Sequence, residues 1–208
     1  VGTGDCTHPR WLAEMAAKLE PAAAGVYSLK PDLALPLNLE GPCWEGATPV
    51  KFVITGEVST IYKKAGKVRK VHLLLVLPDL AAAQQLSQRL GRLGNVASDG
   101  RPILGLDARF VLDLVMEIDP QALVIPAHIW TPWFSVLGSK SGFDSLEECF
   151  EASLDVFVAG VGTPVPLGGE VNDEFGIEHG AQLKNVHAAR LDMRTMAVWL
   201  SVTFTAST

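Results

Sequence analysis

Three of the five histidines, His8, His72 and His128, fall where strands are expected to begin or end, and two carboxylates, Asp5 and Glu57, accompany them. Neutral imidazole and carboxylate are the usual donors for zinc, manganese and iron. The five residues are far apart in the chain, but strands that end at one rim of a sheet or barrel bring such positions together. Each also has a plainer reading. A histidine at a strand end can be a hydrogen-bonded core residue, and Asp5 can cap the helix that starts near Pro9 instead of serving a metal. Glu57 lies inside an apolar strand, where an unpaired carboxylate is costly, so a cation partner is expected for it.

The elements that must position these residues alternate between short apolar runs and segments of helical period, the pattern of β-α units around a parallel sheet or barrel and hence of an α/β fold. Strands are expected over residues 51–59, 68–77, 123–128 and 155–161. A helix over 9–19 carries Leu12, Met15, Ala16 and Leu19 on one face, and a second, opened by Asp79, carries Leu80, Ala83, Leu86, Leu90 and Leu93 before Gly94-Asn95 ends it. A third follows Asp107 with Val111, Leu112, Val115 and Met116 inward; a fourth starts at Asp144 with Ser145 and Glu148 spaced as in a capping box. Prolines at 31, 36, 42 and 49 exclude regular structure across residues 31–49, which read as a long surface insertion. Residues 160–169 are rich in glycine and proline, and beyond them only 198–204 alternates like a strand.

At 208 residues, 48% hydrophobic and 19% charged, the chain can bury a core and is expected to form one globular domain. Its longest apolar runs, 73–78 and 122–127, are far too short to span a bilayer and read as buried strands. No charged and apolar leader opens the sequence, so a cytoplasmic protein is expected, with no membrane partner. Cys6, Cys43 and Cys149 are odd in number and lack C-x-x-C spacing, which points to buried or free thiols. The net charge of -6 speaks against wholesale wrapping of nucleic acid, yet the charge is unevenly spread. Residues 51–70 hold six basic residues against one acid, whereas 141–183 hold nine acids and neither Lys nor Arg, so an anionic substrate would sit at the basic stretch.

Five motifs occur in order: Gly2-Thr3-Gly4-Asp5-Cys6-Thr7-His8-Pro9, Gly56-Glu57-Val58-Ser59-Thr60-Ile61-Tyr62-Lys63, Lys70-Val71-His72, Asp99-Gly100-Arg101-Pro102-Ile103-Leu104-Gly105 and Pro126-Ala127-His128-Ile129-Trp130-Thr131-Pro132-Trp133-Phe134. With Gly138-Ser139-Lys140-Ser141-Gly142-Phe143 after them, residues 1–150 resemble the PHP domain of the endonuclease Q family of DNA-repair nucleases. The resemblance implies a distorted β/α barrel around a cluster of divalent metals, zinc, iron or manganese. Carried over motif by motif, it implies Asp5, His8, Glu57, His72 and His128 as metal ligands, with Glu57 and His128 serving catalysis. Such metals would lower the pKa of a bound water and clamp a phosphodiester for attack. The implied activity is nicking of DNA at deaminated bases or abasic sites.

The match is incomplete. Family members carry a His-x-His strand before the Gly-Thr-Gly-Asp segment and a Ser-Asp-Ala-His motif late in the domain, and neither has a counterpart here. The expectation is therefore a partial PHP-type barrel lacking its first strand unit over residues 1–152, followed by a divergent or frameshifted segment over 153–208. His179 and His187, with Glu178 and Asp192, match nothing in the family. Two other functions stay open: a phosphoesterase acting on a small phosphorylated metabolite, and a non-catalytic remnant with an incomplete metal site.

Contacts to DNA are expected from Lys63, Lys64, Arg69, Arg101, Trp130 and Lys140. Lys63, Lys64, Lys67, Arg69 and Lys70 surround the turn Ala65-Gly66-Lys67 and either grip phosphates or keep a hairpin tip soluble. Trp130, Trp133 and Phe134 follow His128 and either stack on an unpaired base or pack in the core. Arg101 and Lys140 lie in turn-like segments that either touch phosphate or have no function.

Overall fold

The computed structural model describes residues 1–33, 49–98 and 101–151. The strands expected at 155–161 and 198–204, most of the proline-rich segment, the whole of 153–208 and the four polar residues at 178–192 lie outside the described residues.

The dominant feature is a long hairpin. β3 (Ile54–Lys64) and β4 (Lys67–Leu77) pair antiparallel without a break from Ile54↔Leu77 to Lys64↔Lys67. Ala65 and Gly66 join them with φ of 51° and 76°, the positive pair that a two-residue hairpin turn requires. β5 (Ile103–Leu104) adds to β3 in parallel and β6 (Leu123–Pro126) to β4 antiparallel, so the sheet runs β5-β3-β4-β6. The α/β class is borne out, but among the described residues the sheet is mainly antiparallel where a parallel sheet or barrel is expected. A two-residue turn can join only antiparallel strands, since a parallel crossover needs a dozen or more residues.

Three capped helices supply much of the rest of the core. α1 (Pro9–Lys18) buries Leu12 and Met15; α2 (Leu80–Gly91) buries Ala82, Ala83, Leu86 and Leu90; α3 (Ala108–Ile118) buries Val111, Leu112 and Val115. Asp79 Oδ1 accepts from the Ala82 amide at 2.7 Å and Asp107 Oδ1 from the Arg109 amide at 2.8 Å, the capping that free amides at a helix start demand. These side chains join Ile54, Val58, Val71, Leu73 and Leu75 in one apolar cluster.

Several boundaries differ from expectation. A two-stranded hairpin, β1 (Leu19–Ala23) and β2 (Val26–Leu29), follows α1 where the sequence signals no strand, because Leu19 continues the helical spacing while Pro21 and its alanines lack strand character. β3 begins and ends later than 51–59, and β6 stops two residues before His128. The short α4 (Leu146–Phe150) starts two residues after Asp144 and is capped by Ser145, as the Ser145–Glu148 spacing implies: Ser145 Oγ accepts from the Glu148 amide, and Glu148 Oε2 accepts from the Asp144 amide at 2.9 Å. Among the described residues no helix is long and apolar enough to cross a membrane.

Candidate metal centre

Side chains alternate along a strand, and directly paired residues share a face. Ser59 pairs with His72, so Glu57, two residues before Ser59, stands on the face that carries His72. Ile54, Val58, Leu73 and Leu75 line the opposite, core-side face. His128 arrives differently. The Ala127 amide donates to the His72 carbonyl at 2.9 Å, extending the β4–β6 ladder by one step. The chain then turns at His128, whose φ of 33° lies in the left-handed region. That turn swings the ring back over the sheet instead of along it.

The three side chains converge. His72 Nδ1 is 3.2 Å from Glu57 Oε1 and 3.0 Å from His128 Nε2, and His128 Nε2 is 4.0 Å from the same Glu57 oxygen. One donor atom from each residue lies within 4.8 Å of the others. Glu57 Oε1 is buried and lacks a properly directed hydrogen bond, and so does Ser59 Oγ on the same face. A buried carboxylate oxygen left over among imidazole nitrogens fits a divalent cation, which needs that kind of donor set. The residues present therefore suit a metal.

Arg101 closes the site from the exposed side. One guanidinium nitrogen is 3.0 Å from Glu57 Oε2, and the other lies 3.2 Å from His72 Nδ1. Burial works against the Glu57 carboxylate, but contact with His72 and the charge of Arg101 outweigh it and hold the carboxyl below its ordinary value. Burial and the neighbouring His72 depress the His128 ring, against the pull of Glu57. Phe134 packs on His72 with ring centres 4.6 Å apart, and its carbonyl accepts the His72 amide at 2.9 Å. The loop after His128 thus roofs the site.

Asp5 and His8 are not part of this group. His8 is the N-cap of α1: its Nδ1 accepts from the Trp11 amide at 3.4 Å and its Nε2 lies 3.1 Å from the Ala97 carbonyl. The cap expected of Asp5 is supplied by its neighbour three residues on, and Asp5 itself is exposed with φ of 42°.

The basic residues separate into two kinds. Arg69 is corrected from a displayed phosphate contact to an interior strut. It is buried, it donates to the Gly142 carbonyl, and its guanidinium lies 4.1 Å from the centre of the Phe143 ring. Lys64 reaches Glu151 at 2.8 Å and Asp107 at 3.5 Å, and so is neutralised within the fold. Lys63, Arg101 and Lys140 are exposed, as is the aromatic Trp130. Lys70, one of the residues expected either to grip phosphate or to keep the hairpin tip soluble, holds its ammonium 5.1 Å from the Trp133 ring centre and 5.3 Å from that of Phe134. Cys6 and Cys149 are buried free thiols, each pushed up to about 12 by burial, so neither is a nucleophile near neutrality.

No protein-family model and no curated protein matches the sequence. Two solved structures do match the fold. The lesion-specific endonuclease PfuEndoQ from Pyrococcus furiosus is 26% identical with a TM-score of 0.53, covering 76% of this chain and 32% of that one. This chain is related to endonuclease Q over part of its length. A second endonuclease Q structure, a complex with a 27-mer duplex substrate carrying an abasic lesion at its active site, is 27% identical with a TM-score of 0.54 and the same coverage. The chain spans about a third of the length of these endonuclease Q structures.

Proposed function

We propose that this chain belongs to a metal-dependent phosphodiester hydrolase, a DNA-repair endonuclease that nicks DNA at deaminated bases or abasic sites. The observation that carries the reading is the convergence of Glu57, His72 and His128 around a carboxylate oxygen without a directed hydrogen bond, in a chain related to a lesion-specific endonuclease. The described sheet is read as part of a PHP-type barrel. Glu57, His72 and His128 would hold zinc, manganese or iron. A bound divalent ion supplies activation of water and charge for the phosphodiester. His8 would add a ligand only on release from Trp11 and Ala97, with Asp5 beside it.

The chain's own residues do the remaining work. Glu57 and His128 stand at the reacting centre. Arg101 already bridges Glu57 and His72 and is exposed on its outer side, so it can turn to a phosphate oxygen once a cation takes its place beside the carboxylate. Lys63 and Lys140 offer positive charge to the DNA backbone, and Trp130, Trp133 and Lys70 offer aromatic and cationic surface to an unpaired base.

The test is a nicking assay on duplex DNA with one deoxyuridine or one abasic site, with manganese or zinc added and with chelator. Chelator-sensitive nicking at the lesion, lost in His128→Ala, is expected. Turnover of phosphomonoesters that outstrips DNA cleavage would replace this reading with a small-molecule phosphoesterase.

A further inference from the structure

A neutral imidazole offers a lone pair on one ring nitrogen only, and the hydrogen bond made by the other decides which. For His128 that decision falls to Thr131. Thr131 Oγ1 lies 2.9 Å from His128 Nδ1, 2.9 Å from the Trp133 carbonyl and 3.2 Å from the His128 carbonyl. A hydroxyl has one hydrogen and a carbonyl has none, so an oxygen beside two carbonyls must spend its hydrogen on one of them. Oγ1 then has only lone pairs left for Nδ1. The reverse assignment would set two hydrogen-free oxygens, Thr131 Oγ1 and the Trp133 carbonyl, 2.9 Å apart.

We propose that Thr131 is a positioning residue: it fixes His128 in the Nδ1–H tautomer and so presents Nε2 as an electron-pair donor beside His72 Nδ1 and Glu57 Oε1. The arrangement is local and well held. The Thr131 amide donates to the His128 carbonyl at 3.0 Å, so main chain and side chain close the same turn, and the strained φ of His128 sets the ring within reach of the hydroxyl. The three donor atoms come from three segments, and only this one has its ring nitrogen specified by a neighbour in its own turn. The purpose given to the tautomer rests on the metal-site reading above; the tautomer itself does not.

The experiment uses the full chain, chelator-treated and isotope-labelled at histidine, with long-range proton–nitrogen correlations to show which ring nitrogen of His128 is protonated in the neutral ring. Nδ1–H is expected in the native chain, a shift toward Nε2–H in Thr131→Val, and restoration in Thr131→Ser. Cobalt(II) titration, followed by visible absorption, should show affinity about 10–100-fold weaker in Thr131→Val and close to native in Thr131→Ser. Native His128 protonated at Nε2 overturns the proposal, and so does a Thr131→Val chain that keeps both the tautomer and the cobalt affinity. Should Thr131→Val not fold, the native tautomer decides the matter alone. A native chain with Nδ1–H that binds no cobalt overturns the metal-site reading instead and leaves the tautomer assignment standing.

Discussion

His72 Nδ1 and His128 Nε2 stand 3.0 Å apart although 56 positions separate the residues in the chain. Two neutral rings can share one hydrogen at that distance, but two imidazolium rings would repel each other. The contact therefore excludes a positive charge on both rings at once, and Glu57 and Arg101 lie beside it.

Acid should loosen the metal-free chain in two stages. His128 is held below the ordinary histidine value of 6.5, so as pH falls past that value the unfolded chain takes up a proton that the folded chain resists, and stability drops. Glu57 is held below the ordinary 4.5; its contribution is present above that value and is lost as pH falls through the lower folded value. Denaturant midpoints measured from neutrality into acid should fall less for His128→Gln in the first stage and less for Glu57→Gln in the second. Identical slopes for all three chains would show that these groups do not titrate with folding.

Removing Glu57 should abolish tight binding of a divalent ion, whereas Ser59→Ala should weaken it little. Isothermal titration with manganese or zinc against native, Glu57→Gln and Ser59→Ala chains checks this. Equal affinity in the native and Glu57→Gln chains would remove the carboxylate from the site.

Arg69 and Lys70 are neighbours in sequence with opposite fates, and their variants should differ accordingly. Arg69→Met leaves the buried Gly142 carbonyl without its donor and should cost about 1–3 kcal/mol of stability. Lys70→Ala and Trp133→Ala should leave the thermal midpoint nearly unchanged. Each should weaken binding to lesion-containing duplex, Trp133→Ala by roughly tenfold, the size of one lost base-stacking contact. Fluorescence anisotropy alongside thermal melts separates the two classes.

Gly142 tests the roof over the site. A Cβ there would overlap the backbone of Gly138 and the Val136 carbonyl, so Gly142→Ala should cost about 1–3 kcal/mol and disturb the loop that brings Phe134 onto His72. Weakened metal binding in this variant, with no ligand changed, would show that the loop holds the site together.

Much of the framework is legible in the residues themselves. Asp79 and Asp107 announce helix starts, Leu86, Leu90, Val111 and Val115 mark apolar faces by their spacing, and the apolar strands flank a turn containing Gly66. These are local properties, in which side-chain period and capping chemistry act over a few residues. Glu57, His72 and His128 were also identifiable as residues of ligand type. Their convergence was not, because it depends on which strands pair, in what register, and on a left-handed turn that redirects one ring. The same nonlocal packing buried Arg69 under Phe143, tied Lys64 to Glu151 and Asp107, and turned His8 to the cap of its own helix. Residue type determined what each side chain could do; tertiary structure decided which ones did it together, since contacts between distant segments are set by the summed burial of the whole core and no short stretch of sequence carries that sum.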